Sequence, residues 1–241
     1  MTKPVLILKT GNTIAELQQQ GEDFEDWFRE GLGLGQDELN VVEIHKGEAL
    51  PPIASISAVI ITGSPAYVTD LAPWNFVAAE MIRSAFAARL PMLGICYGHQ
   101  LIAWAFGGNV DFHPKGREIG SVSVYSSKEV RGDELLSGLP DEILVNVSHL
   151  QSVLRLPDDA VPLFSNEFDP HHGFRLGKRT WCFQFHPEFD QTITRAYINA
   201  RQAEIDAEGL DSGGLLRNVV ETPESATILR RFMAIVNANS E

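Results

Sequence analysis

The chain has 241 residues, of which 44% are hydrophobic, 21% charged and 9% aromatic, an ordinary composition for a folded globular protein. Its 19 basic and 32 acidic side chains sum to a formal charge of −13, which argues against nucleic acid as a main partner, because a phosphate-binding face needs clustered Lys and Arg. No apolar run approaches the ~20 residues that cross a bilayer, and Met1-Thr2-Lys3-Pro4 leads straight into a strand-like run without a secretory signal's apolar core.

The two cysteines, Cys96 and Cys182, suit a reducing compartment rather than a disulfide framework. A cytoplasmic protein with no membrane partner is expected.

Short apolar runs alternate with helical stretches, which points to βαβ units and a largely parallel sheet. Val5 to Leu8 reads as the opening strand. Phe24, Trp27 and Phe28 lie three and four apart, so residues 22–30 read as an amphipathic helix, ended by the glycines of Gly31-Leu32-Gly33-Leu34-Gly35. That run resembles a dinucleotide loop only superficially. It follows a helix and precedes the strand-like Asn40 to Ile44, the reverse of a Rossmann turn.

Ala58 to Thr62 is the next buried strand, running into the turn signal Gly63-Ser64-Pro65. Residues 74–89 read as a helix, Pro91 to Ile95 as a strand, and 99–106 as a helix stopped by Gly107-Gly108. From 117 to 188 the chain is richer in strand, with runs at 119–125, 143–147, 161–164 and 180–185. Residues 191–206 read as a helix and 207–221, with three glycines, as a loop. The last helix opens at Thr222-Pro223, Thr as N-cap and Pro at the first helical position. No linker is visible, so one domain over 1–241 is expected, with a helical extension at about 191–241.

Chemistry concentrates in Gly94-Ile95-Cys96-Tyr97-Gly98-His99-Gln100. Gly-x-Cys-x-Gly between a strand and a helix is the thiol form of a nucleophile elbow. Side chains on either neighbour of the nucleophile would collide with adjacent backbone, hence the glycines. The turn lifts the sulfur out of the sheet and aims the Tyr97 N–H and a helix N-terminus at the reacting centre, which is expected to favour thiolate.

A thiol nucleophile needs a base and the base an orienting group. One histidine begins a His-x-Glu, His186-Pro187-Glu188, after the apolar run Trp181 to Phe185. A strand-end position lets both face the carboxyl edge of an α/β sheet. Gly63 sits at another strand end and can offer its N–H to a developing oxyanion.

Together these segments resemble the class I glutamine amidotransferases, among them the amidotransferase domain of GMP synthetase and its free-standing relatives. The resemblance runs to about residue 190. It implies an open sheet with flavodoxin-like layering, Cys96 as nucleophile, His186 as base and acid, and Glu188 as its orienter. Gly63 and Tyr97 would form the oxyanion hole. Gln100, Ser148, His149 and Glu118 would line the glutamine site, the last three through Arg117-Glu118-Ile119-Gly120 and Val147-Ser148-His149-Leu150-Gln151. The implied reaction releases ammonia from glutamine through a γ-glutamyl thioester, with no cofactor and no metal.

No phosphate loop of the form Gly-x-x-x-x-Gly-Lys-[Ser/Thr] is present. The ammonia is therefore expected to reach a separate acceptor or synthetase subunit. Two readings stand beside this one: a peptidase or transferase for other γ-glutamyl amides, and a non-catalytic subunit of the same fold. Asp169, His171 and His172 could hold a metal but read as a solvated loop. His45 and His113 read as surface or strand-end residues, and Cys182 as a core residue.

Overall fold

The computed structural model describes residues 3–238. Met1 and Thr2 of the N-terminal reading and the last three residues of the expected extension lie outside them. The first half runs β1 (Val5–Lys9), α1 (Ala15–Gln19), α2 (Phe24–Leu32), β2 (Leu39–Glu43), β3 (Ala58–Ile61), α3 (Pro73–Ala87), β4 (Met92–Ile95), α4 (Tyr97–Ala105). Then come β5 (Asn109–Phe112), β6 (Glu118–Ser126), β7 (Glu142–His149), β8 (Gln151–Arg155), β9 (Val161–Ser165), β10 (Gly173–Leu176) and β11 (Thr180–Phe183). The chain closes with α5 (Gln191–Ala200), α6 (Gln202–Ala207), α7 (Ser212–Asn218) and α8 (Pro223–Ala238).

A nine-stranded sheet has the order β2-β1-β3-β4-β11-β10-β9-β6-β7. Its β2-to-β11 half is parallel, and the β11-to-β7 half is antiparallel. Strands β5 and β8 form a separate antiparallel pair. The period of two along each central strand sorts its side chains into two apolar layers. Val5, Ile7, Ala58, Ile60, Leu93 and Trp181 face the layer covered by α2, α5 and α8. Leu6, Leu8, Val59, Ile61 and Cys182 face the layer under α3 and α4. Both faces are buried, so the strands read as continuous apolar runs, and each buried Leu or Ile stabilises by roughly 1.5–3 kcal/mol.

Several boundaries differ from the expectations, each for a packing reason. Helix α2 continues through Gly31 and stops at Gly33, which takes φ 72°. A Cβ on Gly31 would lie 2.3 Å from Leu229 Cδ1, so that glycine is a contact point with α8 and not a stop. Helix α4 begins at Tyr97, not after Gly98. The stretch 191–206 is two helices, broken at Arg201 (φ −111°, ψ 13°). The expected loop 207–221 contains α7, whose N-cap Asp211 accepts from Gly214 N at 2.9 Å. Its glycines disfavour a helix, but Leu215 and Leu216 pack against Ile119, Ile198, Ile205 and Val219, and tertiary packing outweighs propensity. Strands β5, β8 and β10 carry no strong alternation and were not anticipated.

Gly98 shows how tightly α4 seats on the sheet. A Cβ there would meet Ile61 O at 2.4 Å and Ile61 Cβ at 2.8 Å. Backbone cannot yield as a side-chain tip can, so Gly98→Ala is expected to destabilise by about 3 kcal/mol or more, lowering Tm by about 6–12 °C for a chain of this size. Thermal unfolding followed by circular dichroism checks this, and a Tm unchanged from wild type overturns it.

Candidate active site

Strands β1, β3, β4 and β11 run parallel, so the segments after Lys9, Ile61, Ile95 and Phe183 converge at one sheet edge, where open α/β folds place their ligands. Cys96 occupies the turn between β4 and α4 with φ 52° and ψ −102°, a strained conformation for a side-chain-bearing residue. The turn is held by Cys96 N donating to Phe183 O at 2.8 Å, Gly98 N to Thr62 O at 3.2 Å, and Gln100 N to Cys96 O at 3.1 Å. A Cβ on Gly94 would sit 2.7 Å from Gly98 O. Both glycines flanking the cysteine are thus sterically required.

His186 lies across from Cys96. Its Nδ1 bonds Glu188 Oε1 at 2.7 Å, and the residue shares a small cavity with Cys96. Phe189 stacks on the imidazole, ring centroids 3.9 Å apart and planes within 16°. The His186 backbone N donates to Asn146 O at 2.8 Å, which fixes the loop. Burial disfavours the imidazolium, but the charges of Glu188 and Cys96 and the hydrogen bonds to both outweigh it, and the His186 pKa is pushed up to about 10 from an ordinary 6.5. Glu188 Oε2 is buried without a hydrogen-bond partner.

Gly63 ends up directly beneath this pair. A Cβ there would lie 3.0 Å from His186 Cε1 and 3.3 Å from Phe24 Cε1. Its carbonyl accepts from Thr10 Oγ1 and Thr62 Oγ1, each at 2.9 Å, which fixes the peptide's orientation. Tyr97 is the first residue of α4, where backbone N–H groups have no intrahelical partner.

The family model for glutamine amidotransferase class-I matches residues 25–204. The chain belongs to the class-I glutamine amidotransferase family. GMP synthase (glutamine-hydrolyzing) of Porphyromonas gingivalis strain W83 is 32% identical over 154 residues, 63% of this chain and 29% of that protein. Gamma-glutamyl peptidase 3 of Arabidopsis thaliana is 31% identical over 140 residues, 56% of this chain and 55% of that one. The chain thus matches less than a third of the length of the first relative and about half of the second. A crystal structure of a glutamine amidotransferase from Thermotoga maritima superposes with TM-score 0.77 over 98% of this chain and 99% of that one; at 23% identity this speaks for the fold. Among the described residues no helix is long and apolar enough to cross a membrane.

In this class-I amidotransferase chain two small cavities of about 70 Å³ each meet at Cys96. One is lined by Tyr97, Gln100, Arg117, Ser148, His149 and Gln151. The other is lined by Asn12, Thr13, Phe24, His186 and Tyr197. A larger cavity of about 460 Å³ lies on the far side of Glu188, between α2 and α8, and does not reach Cys96. Gln100 is buried, and its Nε2 donates to Gln151 O at 2.7 Å and Gln184 Oε1 at 3.0 Å, so its amide braces the pocket wall. Ser148 faces Cys96 with its carbonyl, 3.9 Å from the sulfur. Gln184 was not foreseen: its Nε2 lies 3.6 Å from the Cys96 sulfur. It sits two residues before His186, in the segment that continues past the end of β11.

Glu118 does not line the cavity at Cys96. It lies behind it, where Oε1 accepts from Asn166 Nδ2 at 2.8 Å and Oε2 from His149 Nε2 at 2.9 Å. His172 Nε2 is 2.9 Å from the same oxygen, off the line of a hydrogen bond. Burial raises the Glu118 carboxyl, but the two histidines outweigh it and hold it well below the usual carboxylate range. His149 is the link outward, since its ring braces the segment that lines the pocket while Nδ1 sits 3.1 Å from Gln151 O.

The expected solvated loop at Asp169 to His172 is therefore corrected. Asp169 and His172 are fully buried, and His171 Nδ1 bonds Val153 O at 2.6 Å. Adjacent side chains do diverge, but here both directions lead into protein. Glu118, His149 and His172 bring three ligand atoms within 4.8 Å of one another, close enough to hold a metal ion. The two hydrogen bonds to Glu118 already account for its oxygens. His113, read as a surface or strand-end residue, is buried and stacked on Phe168 at 4.2 Å. Cys182 is buried in the layer under α4, and burial holds its thiol well above its ordinary value.

Proposed function

We propose that the chain hydrolyses γ-glutamyl amides, glutamine among them, by acyl transfer through Cys96. The observation that carries this is the contact of Cys96, on its strained elbow, with His186, whose other ring nitrogen is bonded to Glu188. The Cys96 thiolate attacks the γ-carbonyl carbon. The N–H groups of Gly63 and Tyr97 receive the oxyanion, each such donor being worth about 10²–10³ in rate. The His186 imidazolium protonates the departing nitrogen, and a γ-glutamyl thioester remains. His186, now neutral, takes a proton from water, which attacks the thioester, releasing glutamate and restoring the thiolate. Gln100, Ser148 and Gln151 frame the glutamyl half, and Glu118 supports that wall through His149.

The chain is read as one amidotransferase-like domain in a reducing, cytoplasmic setting that keeps the thiol free. With glutamine as substrate, ammonia passes to a separate acceptor or synthetase subunit; relatives named GMP synthase (glutamine-hydrolyzing) support that arrangement. The second cavity beside His186 and the relative named gamma-glutamyl peptidase 3 favour larger γ-glutamyl amides as a second reading.

The test is intact mass after incubation with a glutamine analogue bearing a diazoketone in place of the carboxamide. One adduct is expected, lost in Cys96→Ser and blocked by excess glutamine. Absence of an adduct while iodoacetamide still alkylates Cys96 overturns the reading.

A further inference from the structure

Arg201 belongs to no motif of the site, yet it borders both cavities at Cys96. It stands at the break between α5 and α6, half-buried, with its guanidinium carbon 4.8 Å from the Tyr197 ring centroid. Tyr197 is itself anchored by a 2.8 Å bond between its hydroxyl and Thr13 Oγ1. Arg201 Nη1 is buried and has no hydrogen-bond partner among the described residues. No carboxylate pairs with it among them either. Arg117, the other guanidinium at the pocket, is engaged by Glu204 at 3.0 Å and Glu208 at 2.9 Å. A buried donor with nothing to bond is unfavourable unless a ligand supplies the acceptor. A guanidinium held flat by an aromatic face presents a planar fork that matches a carboxylate.

We propose that Arg201 is a specificity-determining residue that receives a carboxylate borne by the leaving amine, so that the preferred substrates are γ-glutamyl amides of amino acids or peptides. This rests on the reading of Cys96 as the acyl acceptor. His186 borders only the second cavity, and the group that protonates the leaving nitrogen marks the side on which the amine departs. The glutamyl half then occupies the first cavity, where it meets Arg117 and Gln100. The second cavity, about 70 Å³, is several times the roughly 10–15 Å³ that a water-sized group such as ammonia needs. Charge agrees with size. Glutamine is neutral overall, whereas a γ-glutamyl amino acid carries one further carboxylate, which matches the uncompensated charge of Arg201.

The experiment measures kcat/KM of the full chain for glutamine, γ-glutamyl ethylamide and γ-glutamylglycine, in wild type, Arg201→Gln and Arg201→Lys. Wild type is expected to prefer γ-glutamylglycine to the ethylamide by about tenfold or more. Arg201→Gln is expected to lose about 10²-fold on γ-glutamylglycine, mainly in KM, while ethylamide and glutamine change by less than about threefold. Arg201→Lys keeps the charge and recovers part of the loss. An equal fall on all three substrates places Arg201 on the glutamyl half and overturns the proposal, as does no loss in either variant. Turnover of glutamine without preference for γ-glutamylglycine overturns this proposal alone. No turnover of any of the three by wild type overturns the hydrolase reading as well.

Discussion

Replacing Cys96 by Ser is expected to lower γ-glutamyl amide hydrolysis by about 10⁴-fold or more in kcat while leaving the fold intact. Loss of a nucleophile from a triad that acts as a unit costs effects of this order or larger. The smaller oxygen fits wherever the sulfur does, and the strained turn is maintained by backbone bonds to Phe183 and Thr62 that the substitution leaves alone. What changes is acidity. A serine hydroxyl gives up its proton far less readily than a thiol, so the nucleophilic anion becomes scarce. Kinetics with glutamine and with γ-glutamylglycine, paired with an unfolding curve, checks both halves of the expectation. A correctly folded variant that keeps more than about 1% of wild-type kcat excludes Cys96 as the acyl acceptor.

The second large effect is expected from Glu188→Gln. In a serine triad the analogous amide substitution lowers kcat by about 10⁴, and a loss of about 10²–10⁴ is expected here because Gln can still hold the ring but not its charge. The pH profile distinguishes this from a merely structural defect. With Glu188 present, His186 stays an imidazolium up to a pKa of about 10, so kcat/KM is expected to hold through neutral pH and fall along an alkaline limb near 10. Removing the carboxylate removes a charge that raises the pKa, so the limb moves toward acid. The same pair contributes to stability with a matching sign. The folded value lies above the ordinary 6.5, so the contribution is fully present below about 6.5 and disappears as pH rises through about 10. Rate profiles and unfolding between pH 6 and 10.5 read both quantities. An alkaline limb that stays where the wild type has it shows that Glu188 does not set the imidazole's charge.

Much of the central sheet was legible because its strands are buried on both faces. Runs such as Val5 to Leu8 and Ala58 to Ile61 are apolar without interruption and sit between turn signals, leaving little alternative. Helix α2 was equally plain from the spacing of Phe24, Trp27 and Phe28. The strands β5, β8 and β10 were not, because their burial follows no regular alternation and their existence depends on a distant partner. Helix α7 was missed for the complementary reason, since its two glycines point to a loop and only contact with α5, α6 and β6 makes it helical.

At the site the same division holds. Cys96, Gly98, His186 and Glu188 are local in their logic: the steric demands of a strand-to-helix turn and the two-residue reach from imidazole to carboxylate are written in adjacent positions. Those demands, with the apolar patterning, let the sequence by itself determine the sheet, the elbow and the kind of chemistry. Glu118, Asp169 and His172 show where this stops. The first was expected at the substrate and the other two in solvent, yet the antiparallel half of the sheet buries all three behind the pocket wall. Arg201 and Gln184 carry no motif at all. They reach Cys96 only because a helix break and a neighbouring strand bring them there. Which polar groups meet, and which charge is left uncompensated, depends on contacts between residues far apart in the chain, such as Thr13 and Tyr197, and no local pattern encodes those; only the packed tertiary structure decides them.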